Sequence, residues 1–204
     1  MREIKSICVF CGSSPGADPE YSHAARELGM LLGRKGITLV YGGSNIGLMR
    51  VIADACLSEG GHVIGVMPRG LIDREVAYTS LKEFHVVESM SIRKEKMAEL
   101  SDAFIAMPGG IGTLDEIFEA MSWNQLEIMD KPVALLNTAG FYNQLVDFLR
   151  LTVEQRFVRP EHFTNLLVHE NPAELLNLIA SHVTVKVDSK WIDDLKEQTS
   201  LRIK

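Results

Sequence analysis

The chain has 204 residues, of which 46% are apolar and 24% charged, enough for one well-packed α/β domain. A formal net charge of −6 argues against broad nucleic-acid binding, which needs a basic face, so we expect no nucleic-acid partner. No apolar run approaches the ~20 residues of a membrane span, and the N-terminus lacks the cleavage site of a signal peptide, so we expect no membrane association.

Cys8, Cys11 and Cys56 are the chain's three cysteines, a number that suits a reducing compartment. We therefore expect a cytoplasmic protein. Cys8 and Cys11 form a C-x-x-C pattern, which leaves redox or metal use open. Residues three apart in a strand point to opposite faces, however, and no second pair or nearby histidine completes a metal site. The favoured interpretation is buried structural thiols and no bound metal.

Apolar runs and helical periodicities alternate along most of the chain. Buried strands are predicted at residues 4–10, 37–41, 62–67, 84–87, 103–107, 133–136 and 166–168. Helices are predicted at residues 19–35, 48–58, 92–101, 114–129, 141–157 and 172–181, and residues 69–81 form an irregular connection.

This alternation predicts a single-domain, Rossmann-like α/β fold. The expected core is a doubly wound parallel sheet with helices on both faces, because parallel neighbours need right-handed helical crossovers. We assign the domain to residues 1–183 and treat residues 184–204 as a C-terminal tail, either mobile or packed on a partner.

Three small, glycine-rich segments each follow a predicted strand, at residues 11–16, 42–47 and 108–113. In doubly wound sheets, ligands bind beyond the carboxyl ends of the strands, so these loops are expected to converge on one site. Their composition favours a nucleotide or sugar phosphate. Ser13, Gly42 and Gly43 are the substrate contacts that we expect from the first two loops.

The third loop carries the sequence PGGIGTLDE from Pro108 to Glu116 and links a strand to a helix. Thr113 is predicted to cap that helix, with Glu116 completing a capping box three residues later. Such a turn directs backbone N–H groups and the positive end of a helix at one point, where an anion can bind.

Other chemistries fit these loops less well. The dinucleotide fingerprint fails because Ser44 and Asp115 stand where it needs glycine, and no Gly-Lys-Ser/Thr of a Walker A loop occurs. Residues 12–16 match the G-x-S-x-G elbow of hydrolases around Ser14. The next residue, Pro15, has no N–H for the oxyanion hole, so a tight turn is favoured over a nucleophile.

Three charged side chains are candidates for the chemistry, each with a structural alternative. Arg93 and Lys94 fall in the first turn of a helix capped by Ser91, where the helix dipole disfavours cations. They are either solvated side chains or serve an anion in the adjacent cleft. Glu116 is either only a capping residue or a carboxylate kept ionised as a base, nucleophile or cation stabiliser, with Glu119 as its support.

Four segments together resemble one family across residues 4–182. They are FCGSSPG at residues 10–16, YGGSNIGLM at 41–49, MSIRK at 90–94, and PGGIGTLDE followed by Trp123. This combination resembles the LONELY GUY (LOG) family of cytokinin riboside 5′-monophosphate phosphoribohydrolases, whose members are often labelled lysine decarboxylases. The resemblance implies hydrolysis of the N-glycosidic bond of a purine nucleoside 5′-monophosphate, either AMP or an N6-modified AMP, without a cofactor. The products are the free base and ribose 5-phosphate.

Carried over by position, the resemblance makes Arg93 and Glu116 the catalytic pair, and Glu75, Lys94 and Ser122 further substrate contacts. It also implies a phosphate and ribose cradle formed by Gly109, Gly110, Ile111, Gly112, Thr113, Leu114 and Asp115.

Departures from the family pattern leave the preferred base open. Ser44 and Arg50 stand where plant-like members have glycine. The resemblance further implies a homodimer, for which the apolar side chains of Trp123, Leu126 and Met129 are available, unless they belong to the core. The alternative function is a non-catalytic carrier of a nucleotide or phosphorylated cofactor on a related fold. Amino-acid decarboxylation is disfavoured because nothing marks a Schiff-base lysine with a cofactor site.

Overall fold

The computed structural model describes residues 2–72 and 76–186. Its strands are β1 Ser6–Phe10, β2 Thr38–Tyr41, β3 Val63–Pro68, β4 Glu83–Val87, β5 Ala103–Ala106, β6 Val133–Leu136 and β7 Leu166–His169. Its helices are α1 Pro19–Lys35, α2 Gly47–Ser58, α3 Met90–Glu99, α4 Ile111–Gln125, α5 Asn143–Glu154, α6 Pro160–Thr164 and α7 Pro172–Ser181.

The seven strands form one parallel sheet in the order β4-β3-β2-β1-β5-β6-β7. The chain runs outward from β1 to β4, crosses back, and runs outward again from β5 to β7. The predicted doubly wound fold is therefore confirmed. Its switch point lies between β1 and β5, where Val9 pairs with Ile105, and the loops after these two strands leave the sheet side by side.

Helices cover both faces of the sheet. Side chains of α1, α2 and α7 pack with one face, and those of α3, α4 and α5 pack with the other. Cys8 and Cys11 belong to different faces, and these two thiols and that of Cys56 are free and buried. Burial raises the pKa of Cys8 and Cys11 well above the ordinary value and that of Cys56 to about 11, so all three stay protonated at neutral pH. The prediction that the three thiols are buried is confirmed.

Two predicted helix starts are wrong. The cap of α3 is Ser89, whose side chain accepts from the N–H of Ile92, and not Ser91. The cap of α4 is Gly110, so Thr113 lies inside the helix and Glu116 lies in its second turn. The predicted capping box therefore does not form. Glycine with extended backbone can occupy an N-cap without a side-chain bond.

Helix ends also differ from the prediction. α4 stops at Gln125, before the positive φ of 57° at Glu127, and not near residue 129. The helix predicted at residues 141–157 spans Asn143–Glu154, and it follows a turn with left-handed residues at Ala139 and Gly140. The short helix α6 was not predicted. Glu75, within the irregular connection, and residues 187–204 of the tail lie outside the described residues.

Within the described ranges, no helix combines the length and the hydrophobicity that crossing a bilayer requires.

Candidate active site

Arg93 and Glu116 form a buried ion pair beneath the carboxyl edge of the sheet. Nη1 of Arg93 lies 3.1 Å from Oε1 of Glu116, and both side chains are less than a tenth exposed. The two residues come from α3 and α4, which flank β5. Burying two charges is costly unless each has a partner, so a pair in this position indicates a functional use more than a gain in stability.

The guanidinium of Arg93 is fixed from several sides. Its Nε donates to the carbonyl of Val66 in β3 (3.0 Å), and its Nη1 lies 3.9 Å from Sδ of Met90. Gly42 lies directly against it, since a Cβ on Gly42 would be 2.1 Å from Nη2. A larger residue at position 42 would therefore displace the guanidinium of Arg93, so the second loop leaves the space that the arginine occupies.

The third loop forms the open N-terminus of α4. Gly110, Ile111 and Gly112 are exposed, and Cβ atoms built on the two glycines would meet nothing within 4 Å. The first N–H groups of a helix have no partner within it, so they are available to an anion. Thr113 is buried, and its Oγ1 packs closely against Gly109, where a Cβ would lie 2.2 Å away. This contact between Thr113 and Gly109 fixes the backbone of the turn.

The first two loops contact each other. Gly47 has a φ of +59°, and a Cβ there would lie 2.2 Å from the backbone carbon of Ser13. The N–H of Leu48 donates to the carbonyl of Gly12 (3.1 Å), while Ser13 itself is exposed. Gly43, with a φ of +79°, is buried against the ring of Phe84. All three glycine loops thus lie at the same edge, as the sequence predicted.

Lys94 links α3 to α4 beside the buried pair. Its Nζ lies 3.0 Å from Oδ2 of Asp115 and 3.1 Å from Oε2 of Glu119, and its side chain is 14% exposed. Burial by itself lowers the pKa of Lys94, but the hydrogen bonds to these two carboxylates outweigh it, and the pKa is raised. Glu119 therefore partners Lys94, and its predicted support of Glu116 stays a prediction.

Ser122 does not lie with the other predicted site residues. It is exposed in the second half of α4, its hydroxyl donates to the carbonyl of Phe118 (2.8 Å), and it lines a separate cavity. That cavity contains neither Arg93 nor Glu116. Leu114, by contrast, is half-buried in the first turns of α4 and packs against the core. The substrate contacts assigned to Ser122 and Glu75 stay predictions.

Comparison with known proteins identifies the family of this chain. A family model described as "possible lysine decarboxylase" matches residues 49–179. The chain is 46% identical over 182 residues to the probable cytokinin riboside 5′-monophosphate phosphoribohydrolase LOGL6 of Oryza sativa subsp. japonica, covering 89% of this chain and 73% of that protein. It is also 46% identical over 181 residues to the phosphoribohydrolase LOG1 of Arabidopsis thaliana, covering 89% and 85%. This chain belongs to the LOG family.

Solved structures agree with the fold of this LOG-family member. The molybdenum cofactor binding protein of Rippkaea orientalis is 26% identical, with a TM-score of 0.65 over 89% of this chain and 98% of that one. The molybdenum cofactor carrier protein of Chlamydomonas reinhardtii is 22% identical with a TM-score of 0.65, covering 86% and 96%, and shows the fold alone.

Proposed function

We propose that this LOG-family chain hydrolyses the N-glycosidic bond of purine nucleoside 5′-monophosphates and releases the free base and ribose 5-phosphate. The observation that carries the proposal is the buried Arg93–Glu116 pair, 3.1 Å apart, next to an open helix N-terminus. The relatives named phosphoribohydrolases, at 41–50% identity, support the same reaction.

The α4 N-terminus would hold the 5′-phosphate. Backbone N–H groups after Gly110 and the helix dipole bind an anion there without a side-chain charge. Glu116 follows Ile111 by five residues, about 7.5 Å along the helix axis. A nucleotide anchored by its phosphate would thus place its ribose over the carboxylate.

Glu116 acts on the sugar side of the bond that breaks. Departure of the base creates oxocarbenium character on the ribose, which a nearby carboxylate stabilises. The same carboxylate can accept a proton from the attacking water. Its burial strengthens both effects, since the surrounding dielectric is low.

Arg93 acts on the base side. The purine leaves with developing negative charge, and a guanidinium fixed by Val66 and Gly42 stabilises that charge without moving. Arginine is a poor proton donor because its pKa is so high, so the proton that the base acquires reaches it through water.

The proposal includes two finer assignments, the substrate and the cellular location. The proposed substrates are AMP or N6-modified AMP. The two residues that depart from plant-like members, Ser44 and Arg50, lie in or near the second loop. Ser44 is fully buried and bridges to Ala77, while Arg50 pairs with Asp54 on an exposed part of α2 (3.2 Å). The proposed location is the cytoplasm, which suits the free thiols.

Base release measured side by side from AMP, isopentenyladenosine 5′-monophosphate and the two matching nucleosides tests the proposal. We expect free base and equimolar ribose 5-phosphate from at least one monophosphate, and turnover slower by on the order of 10²-fold or more from the nucleosides, because remote binding energy is lost. Tight nucleotide binding without turnover would instead assign the chain to the carrier class.

We also propose a homodimer that buries the apolar surface behind α4. Four large apolar side chains on this surface are between 59% and 84% exposed, namely Leu126, Ile128, Phe148 and Phe157. Exposed apolar surface of this kind is typical of a protein–protein interface. A cavity of about 670 Å³ lies in the same region, between the end of α4, α6 and residues 184–186.

A charged residue on this surface should separate the protomers. Phe148→Glu is expected to give a monomer by light scattering, since a carboxylate cannot be buried there unpaired. Leu178→Glu, a partly exposed position on α7 across the sheet, is the matched control and should stay dimeric. A monomeric parent chain, or dissociation of both variants, would contradict this interface.

A further inference from the structure

Tyr142 contacts the strand that leads into the anion-binding turn, although it is distant in sequence. It is 1% exposed, and its hydroxyl donates to the carbonyl of Met107 at 2.6 Å. Met107 is the residue directly before Pro108, Gly109 and Gly110. A buried phenol therefore bonds to the last peptide before the turn.

The carbonyl of Met107 is available because the sheet ladder ends there. The N–H of Met107 still donates to Phe10 (2.8 Å). In a parallel ladder the carbonyl of the same residue would accept from the N–H of Gly12. That N–H donates to the carbonyl of Pro108 instead (3.1 Å). Tyr142 supplies the hydrogen bond that the ladder no longer provides, at the point where the chain turns off the sheet.

The turn between β6 and α5 is built to place Tyr142 in the core. Its backbone N–H donates to Oδ1 of Asn137 (2.7 Å), whose amide nitrogen donates to Asn143 (2.8 Å). Ala139 and Gly140 before it have φ values of 51° and 72°. Burial raises the pKa of the Tyr142 phenol, so the hydroxyl stays a donor throughout the neutral range.

We propose that Tyr142 is a positioning residue that sets the direction of the Pro108–Gly110 turn and thereby the phosphate affinity of the site. This inference rests on the proposed function. Without the hydroxyl, the Met107 carbonyl is a buried acceptor that lacks its partner, and the turn relaxes to satisfy it. Arg93 and Glu116 come from α3 and α4 and pair with each other at 3.1 Å, so we expect the chemical step to be affected less than the binding of phosphate.

Tyr142→Phe tests this assignment. We expect KM for the nucleoside 5′-monophosphate, and Kd for ribose 5-phosphate by titration calorimetry, to rise on the order of tenfold, with kcat changed by no more than about threefold. Asn137→Ala, which loosens the backbone of Tyr142, should shift both constants in the same direction by a smaller factor. That variant keeps the test open if Tyr142→Phe folds poorly.

Ser101→Ala is the matched control, because the buried hydroxyl of Ser101 also donates to a backbone carbonyl, that of Met97 (2.8 Å), at the opposite end of β5. It should lower the melting temperature and leave KM within about twofold of the parent. Unchanged KM and Kd values in Tyr142→Phe, or an equal rise of KM and Kd in Ser101→Ala, would overturn the role of Tyr142 but not the proposed function. A parent chain that neither binds ribose 5-phosphate nor releases base would overturn the proposed function as well.

Discussion

Replacing Glu116 with glutamine is expected to lower kcat for base release by about 10³-fold. The substitution keeps the size of the side chain but removes the charge that faces the developing oxocarbenium ion, and an amide does not accept a proton from water. KM should change little, because the phosphate is held at the α4 N-terminus and not by this side chain. Steady-state assays with a saturating nucleoside 5′-monophosphate measure the effect.

Glu99→Gln is the control for this experiment, since Glu99 is an exposed glutamate of α3 that pairs with Lys96 (3.2 Å). It should keep kcat within about twofold of the parent. If the Glu116→Gln protein melts like the parent and retains its full rate, Glu116 is not the catalytic carboxylate.

Replacing Arg93 with alanine is expected to reduce both activity and stability. Activity should fall on the order of 10²-fold or more, since the leaving base loses its fixed cation. The free energy of unfolding should fall by about 3 kcal/mol, because the carboxylate of Glu116, less than a tenth exposed, is left without its cation. For a chain of this size that corresponds to a decrease in melting temperature of roughly 10 °C.

A double variant tests whether the stability that Arg93→Ala loses comes from its charge pairing with Glu116. Arg93→Ala combined with Glu116→Gln removes both charges and should recover part of the lost stability while staying inactive. A double variant as unstable as the sum of the two single variants would show that the pair does not interact.

The sheet and its helices were largely predictable because hydrophobic period and glycine position are local signals. The bounds of α1 and α7 match the prediction, since Pro19 and Gly36 mark the ends of the first helix and Asn171 and Pro172 mark the start of the second. Helix starts at α3 and α4 were not predicted correctly. For α3 both Ser89 and Ser91 can cap a helix, and for α4 both Gly110 and Thr113 can, so the local sequence does not decide between them.

The site was predictable as a set of loops and as a motif, but not as a set of contacts. Sequence places Gly42 in a glycine turn, yet it cannot reveal that the missing Cβ makes room for Arg93, fifty-one positions later. It also gives no signal for Tyr142, because a single tyrosine before a helix resembles any core residue. Contacts of this kind depend on the order of the strands.

A crystal structure of the Glu116→Gln variant with a bound nucleoside 5′-monophosphate is the most direct test of the central claim. We expect the 5′-phosphate on the backbone N–H groups that follow Gly110, with the anomeric carbon within about 4 Å of both the side chain at position 116 and the guanidinium of Arg93. A nucleotide bound with its anomeric carbon far from both groups would contradict the account.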